Sequence, residues 1–176
     1  PNWMTWQLVE NLPENAVVVH EGLTTTWQMH KMLAYKDRYS YHGFASGGIG
    51  WAMPAAIGIQ LADLNRPVCA VIGDGSSMYS IQALWTAANM KLPMTYVICN
   101  NKSYRIIKQR LKAFHSNDHF VGMDFNDPYI DFVKMANSMG VTAERIEDPE
   151  KVGPAVKAAM SHPGPNLLDI IVDGSV

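Results

Sequence analysis

With 176 residues, 48% hydrophobic and 17% charged, the chain can bury roughly 70% of its unfolded surface and needs neither disulfide nor structural zinc. A formal net charge of −2 shows none of the basic footprint of a nucleic-acid binder. No apolar run is long enough to span a bilayer, no signal peptide stands out, and Cys69 and Cys99 sit in apolar runs, as free thiols of a reducing, cytoplasmic compartment would.

Residues 3–12 read as helix, and a start at Pro1 inside that pattern suggests a piece of a longer chain or a processed product. Residues 16–20 (AVVVH) predict a strand, 26–33 a helix, 39–41 a short strand and 51–63 a nearly all-apolar helix. A strand follows at 68–72 (VCAVI), a helix at 79–90 and a strand at 94–100 (MTYVICN). After a less regular stretch, with a mobile loop expected at 115–127, come a helix at 130–139, a short strand near Val141, a helix at 150–160 and a last strand at 166–172. Strands that alternate with helices, and that are continuous apolar runs, predict an α/β fold with a doubly wound, mainly parallel sheet buried on both faces. In such a sheet ligands sit beyond the carboxyl ends of the strands. Eleven Met and five Trp point to large apolar contact areas, some facing other domains.

Two polar clusters fall at such strand ends. The strand 68–72 runs into Gly73-Asp74-Gly75-Ser76-Ser77, and the strand 94–100 ends in Asn100-Asn101-Lys102-Ser103-Tyr104. One crossover helix makes those strands neighbours, so Asp74 and Asn101 should meet. A carboxylate, an amide oxygen and a backbone carbonyl near Ser103 suit Mg²⁺, which completes its octahedral shell with phosphate oxygens and water. Gly73 and Gly75 permit tight turns, and exposed N–H groups at the start of the next helix favour a phosphate. The combination reads as a metal with a diphosphate.

Gly-Asp-Gly followed after one helix and one strand by Asn-Asn resembles the signature of thiamine diphosphate enzymes. The likeness is strongest to benzoylformate decarboxylase and its acetolactate-synthase-like relatives. It extends over Glu21 with Thr24-Thr25-Thr26, Gly47-Gly48-Ile49-Gly50, Pro54-Ala55-Ala56-Ile57-Gly58, Ala70 to Ser76 and Ala83-Leu84-Trp85-Thr86-Ala87-Ala88. The resemblance implies Asp74, Asn101 and the Ser103 carbonyl as metal ligands. It places Gly73, Gly75, Ser76, Tyr79, Ser103 and Tyr104 near the cofactor, with Gly22, Leu23 and Thr24 on the other side of the diphosphate. It counts Gly48 among the cofactor-binding residues, has the Gly47 carbonyl accept from the pyrimidine 4′-amino group and the Ile49 backbone pair with the ring edge, and puts the Ile49 side chain under the bend of the cofactor.

By the same resemblance, thiazolium C2 attacks the keto carbon of a 2-oxo acid and accepts the electrons as CO₂ leaves, giving non-oxidative decarboxylation. Carboligation of the acetolactate synthase kind is the alternative, and a non-catalytic binding module a weaker one. The family's activating glutamate comes from an N-terminal pyrimidine-binding domain of the same or another chain, so no catalytic residue is expected here. The parent protein would be a three-domain chain working as homodimer or homotetramer. Leu23 stands where benzoylformate decarboxylase has a Thr, and 103–111 looks more like the acetolactate-synthase-like branch.

Plainer readings compete. Asp74 could be a helix N-cap, and Gly48-x-Gly50 before a helix invites a dinucleotide reading, but Met53 and the lack of a following acid oppose it. His20 and His42 could line a pocket or simply pack. His115 and His119 suit surface or hinge roles, and Lys108-Gln109-Arg110 with Lys112 suits a solvated helix face.

Overall fold

A computed structural model describes residues 1–176. Six parallel strands form one sheet: β1 (Val17–Glu21), β2 (Tyr41–Gly43), β3 (Val68–Gly73), β4 (Met94–Asn100), β5 (Thr142–Ile146) and β6 (Asn166–Ile171), in the order β2-β1-β3-β4-β6-β5. Every residue of β3 and β4 is buried. Side chains alternate along each strand, and the two faces of the sheet take separate cores. Val68, Ala70, Ile72, Met94, Tyr96 and Ile98 enter one, and Cys69, Val71, Val97 and Cys99 the other. A strand covered on both faces needs apolar residues at every position, which is why these runs are continuous rather than alternating.

Helices close both faces. Helix α1 (Asn2–Glu10), the single turn α2 (Met29–Met32) and α8 (Val152–Met160) cover the cysteine side through Met4, Leu8, Met29, Val152 and Val156. On the other side α3 (Ala52–Ala62), α5 (Ala83–Asn89) and α7 (Phe132–Ser138) deliver Met53, Ile57, Leu84 and Phe132. Each such fully buried large side chain contributes about 1.5–3 kcal/mol. Both thiols are fully buried, which pushes Cys69 up to about 12 and Cys99 upward as well, so they pack as inert hydrophobes. No helix is long and apolar enough to cross a membrane.

The doubly wound α/β arrangement is the one the sequence predicts, with local differences. The helix predicted at 26–33 shrinks to α2, because Thr26 turns its hydroxyl onto His20 instead of continuing a helix. The strand predicted at 39–41 shifts to Tyr41–Gly43, pairing His42 with Val19. The helix predicted at 79–90 contracts to α5, and a separate short α4 (Asp74–Ser77) leads directly off β3. Between them Ser80 Oγ donates to the Gly50 carbonyl at 2.6 Å, which ties the intervening turn to the loop before α3.

The irregular stretch contains a helix, α6 (Arg105–His115), which includes the basic run Lys108–Lys112. The second half of the loop expected to be mobile is pinned beside it: Tyr104 N–H donates to Met123 O at 2.9 Å and Phe125 N–H to Lys102 O at 2.8 Å. Lys108 is not on a solvated face. It is buried, paired with Asp124, and its Nζ lies 5.3 Å from the Phe120 ring centroid.

Candidate functional site

The β3–β4 register sets Gly73 beside Cys99, so the residues that follow each strand emerge side by side. Ser103 N–H points at both key side chains, 3.2 Å from Asp74 Oδ2 and 3.0 Å from Asn101 Oδ1. The other Asp74 oxygen accepts from Gly75 N–H at 2.9 Å. Lys102 makes the turn possible by taking a left-handed φ of 57°, a conformation that costs a non-glycine residue about 1–2 kcal/mol. Asp74 is buried, and none of the ion pairs involves it. Burial pushes its carboxyl up to about 6, against backbone hydrogen bonds from Gly75, Lys102, Ser103 and Asn101 that hold it down.

The opposite wall starts at the end of β1. The fully buried carboxylate of Glu21 accepts from Gly50 N–H at 2.6 Å and from Ala52 N–H at 2.7 Å. It thereby caps α3, whose first turn has free N–H groups and a positive dipole end, and ties down the loop 47–50. Gly50 has φ +89°, and a Cβ there would lie 2.6 Å from Tyr79 Cβ, so only glycine fits. At Gly22 a Cβ would stand 1.9 Å from Thr26 Oγ1. That hydroxyl lies 2.5 Å from His20 Nε2, and His20 Nδ1 lies 2.7 Å from Tyr41 Oη. Burial, assisted by nearby His30, lowers His20 to about 4, so the imidazole is neutral and relays hydrogen bonds beneath the loop 22–25. Leu23, at the tip, also takes a left-handed φ of 48°. Two of the four left-handed non-glycine residues therefore flank one cleft, where backbone strain commonly serves a site.

That cleft has a volume of about 270 Å³. Gly22, Leu23, Thr24, Gly47, Ile49, Gly73, Asp74, Gly75, Ser76, Asn101, Ser103 and Tyr104 all line it. Gly48 and Tyr79, also expected at the site, lie outside its lining: Gly48 is exposed on the outer loop, and Tyr79 is mostly exposed with its Cβ against Gly50. His20 serves the wall from beneath, and His42 lines a different cavity. Thr25, together with Arg105, Ile106 and Ile107 of α6, completes the lining, and the three α6 residues were not expected. The ring of Tyr104 closes over Gly75, where a Cβ would be 2.7 Å from two ring carbons, and rests edge-on against Phe125 at 4.7 Å.

The donor set suits a hard cation that brings its own anionic ligand. Asp74 is a single buried carboxylate without a cationic partner, beside neutral oxygens, and no group of three His, Cys, Asp or Glu side chains converges anywhere in the chain. A larger groove of about 380 Å³, between α1 and the ends of β5 and β6, holds none of the motif residues.

The family described as thiamine pyrophosphate enzyme, C-terminal TPP binding domain, matches residues 21–170. The chain is 33% identical over 158 residues to benzoylformate decarboxylase of Pseudomonas aeruginosa, covering 90% of this chain and 29% of that protein. It is 34% identical over 176 residues to acetolactate synthase of Bacillus subtilis, covering 95% of this chain and 30% of that protein. The structure superposes with a TM-score of 0.89, at 33% identity, on the thiamine diphosphate-dependent 4-hydroxybenzoylformate decarboxylase of Rhodococcus jostii RHA1, over 97% of this chain and 32% of that one. The chain thus spans about a third of the length of the relatives it matches.

Proposed function

The chain belongs to the thiamine pyrophosphate enzymes, as their C-terminal cofactor-binding domain, and from that premise we propose that the complete protein is a 2-oxo acid decarboxylase whose diphosphate and Mg²⁺ are held here. The observation that carries the metal reading is the convergence of Asp74 and Asn101 on one backbone N–H at adjoining strand ends. Asp74 would supply the only protein charge to Mg²⁺, Asn101 and the Ser103 carbonyl two neutral oxygens, and the diphosphate the balance. Thiamine diphosphate, when bound, would supply a thiazolium carbon able to add to a keto carbon and to accept the electron pair left behind as the carboxylate departs as CO₂.

The chain's own part is to bind, orient and exclude water. Gly22, Leu23 and Thr24 on one side and Gly73, Gly75, Ser76 and Tyr104 on the other form the walls around the diphosphate. The loop held by Glu21 would present Gly47 and Ile49 toward the pyrimidine side, with Ile49 half-buried beside exposed Gly47 and Gly48. An apolar side chain there supports a bent cofactor without competing for protons. Arg105, Ile106 and Ile107 narrow the mouth. The activating carboxylate is assigned to an N-terminal domain of the same or a second chain, in a homodimer or homotetramer. Glu21 is unavailable for that role, since both of its oxygens are engaged by backbone N–H groups.

A second reading, carboligation, is favoured by the acetolactate synthase of Bacillus subtilis, which matches as well as the decarboxylase does. Incubating the full-length protein with aromatic and aliphatic 2-oxo acids separates the two. The expected result is one CO₂ and one aldehyde per benzoylformate-like acid. Acetolactate from pyruvate, with aromatic acids untouched, would instead establish the synthase. Failure of every 2-oxo acid would overturn both.

A further inference from the structure

We propose that Asp169, acting through Asn100, is a positioning residue that holds the turn presenting Asn101 to the divalent cation; this rests on the reading of Asn101 as a metal ligand. Asp169 lies in the middle of β6 and is fully buried, on the sheet face that also carries the apolar Leu167. A carboxylate there carries a desolvation cost that an aliphatic residue would avoid, so its partners show what it does.

One oxygen, Oδ1, accepts from Asn100 Nδ2 at 2.8 Å, and the other, Oδ2, from Arg145 Nε at 2.9 Å. Arg145 sits directly opposite on β5, and its Nη2 reaches Asp131 at 3.4 Å. Because Asp169 can only accept, it fixes the Asn100 amide with nitrogen toward itself and oxygen toward the turn. That oxygen then accepts from Lys102 N–H at 3.2 Å. The Asn100 carbonyl is also held by β6, accepting from Val172 N–H at 2.9 Å.

The consequence falls on the next residues. With the Lys102 amide anchored and its φ at 57°, Ser103 N–H faces both Asp74 and Asn101. The Asp74 and Asn101 side chains hold the far end of this turn through Ser103, and Asn100 holds its start through Lys102. Tyr129 closes the corner, with Arg145 Cζ 4.8 Å and Lys102 Nζ 5.5 Å from its ring centroid. This relay holds the backbone between two proposed ligands, Asn101 and Ser103, where the roughly 10–100-fold effect on metal affinity typical of outer-shell hydrogen bonds is expected.

Mn²⁺ affinity, read from the paramagnetic resonance signal of the free ion with saturating thiamine diphosphate, tests this in the full-length protein. Asp169→Asn offers one acceptor to two donors, and Asn100→Ala breaks the link while leaving the Asp169–Arg145 pair in place. Both should raise the Mn²⁺ Kd by roughly 10–100-fold in protein that circular dichroism shows to be folded. Asp131→Ala, which loosens Arg145 without touching Asn100, should leave it within about twofold. Should Asp169→Asn fail to fold, Asn100→Ala decides alone. An unchanged Kd in the folded variants, or an equal rise in Asp131→Ala, overturns the proposal. Asp74→Ala tells the two readings apart: loss of Mn²⁺ binding there with normal binding in Asn100→Ala sinks only the positioning role. Normal binding in Asp74→Ala sinks the metal site and this inference together.

Discussion

Replacing Asp74 should abolish cofactor binding without weakening the fold. Asp74→Ala is expected to raise the Kd for thiamine diphosphate in the presence of Mg²⁺ by at least roughly a hundredfold, since a metal ligand should matter more than the groups around it. The reasoning is one of charge. Asp74 is the single carboxylate at the cleft, and neutral oxygens cannot replace its attraction for a divalent ion. The same variant series gives a second, opposite signal in chelated, cofactor-free protein. The folded-state value of about 6 is above the ordinary 3.8, so the folded protein binds this proton more tightly than the unfolded chain. Ionised Asp74 is therefore a cost, absent below the unfolded value and fully present above about pH 6. Asp74→Asn turns an NH₂ group toward the Ser103 N–H, but that N–H keeps Asn101 Oδ1 as an acceptor, so removal of the buried charge should still leave the apo protein at least as stable at pH 7. At pH 4 the difference should shrink. Thermal unfolding at the two pH values, beside calorimetric titration at pH 7, checks both halves. A residue kept only to cap a turn would lose stability and leave affinity alone.

Glu21 should behave in the opposite sense. Its two oxygens accept from Gly50 and Ala52 at 2.6 and 2.7 Å, at zero exposure. Glu21→Gln leaves one acceptor and turns an NH₂ group against the other N–H, so a buried donor loses its partner. Hydrogen bonds to a charged group are worth about 1.5–3 kcal/mol each, so a loss of about 3 kcal/mol is expected. For a domain of this size that corresponds to a fall in Tm of roughly 6–12 °C. Cofactor affinity should fall with it, because the clamped end of the loop 47–50 is released. Glu21→Leu should be worse on both counts. Should Tm drop while thiamine diphosphate affinity stays at the parent value, Glu21 caps α3 but does not shape the site.

The sheet was legible because its central strands are buried on both faces. The runs 68–72 and 94–100 carry no polar residue that could face water before Asn100, apart from Thr95, so their place in a parallel sheet follows from composition. The meeting of Asp74 and Asn101 followed from chain order and one crossover helix, since adjacent parallel strands bring their carboxyl ends together. What escaped was set by contacts distant in sequence. Helix α6 begins at Arg105 with Tyr104 rather than Ser, Thr, Asp or Asn at its N-cap, so its start carries no local signal; yet it forms one wall of the cleft. Lys108 looked solvated because Asp124 and Phe120, which bury it, lie on a loop with no periodic pattern. The turn around Thr26 lies in a helical sequence pattern, and only its contact with His20 on β1 ends that helix early. Nothing local marks Tyr79 as lying outside the cleft. Its placement depends on Gly50, 29 residues earlier, lacking a side chain.

The most direct measurement is an anomalous difference map from crystals of the full-length protein grown with Mn²⁺ and thiamine diphosphate. The expected map has one strong peak about 2.0–2.3 Å from Asp74 and Asn101 oxygens, with diphosphate oxygens completing the shell. A peak bound elsewhere, with Asp74 and Asn101 still turned only toward the Ser103 amide, contradicts the account.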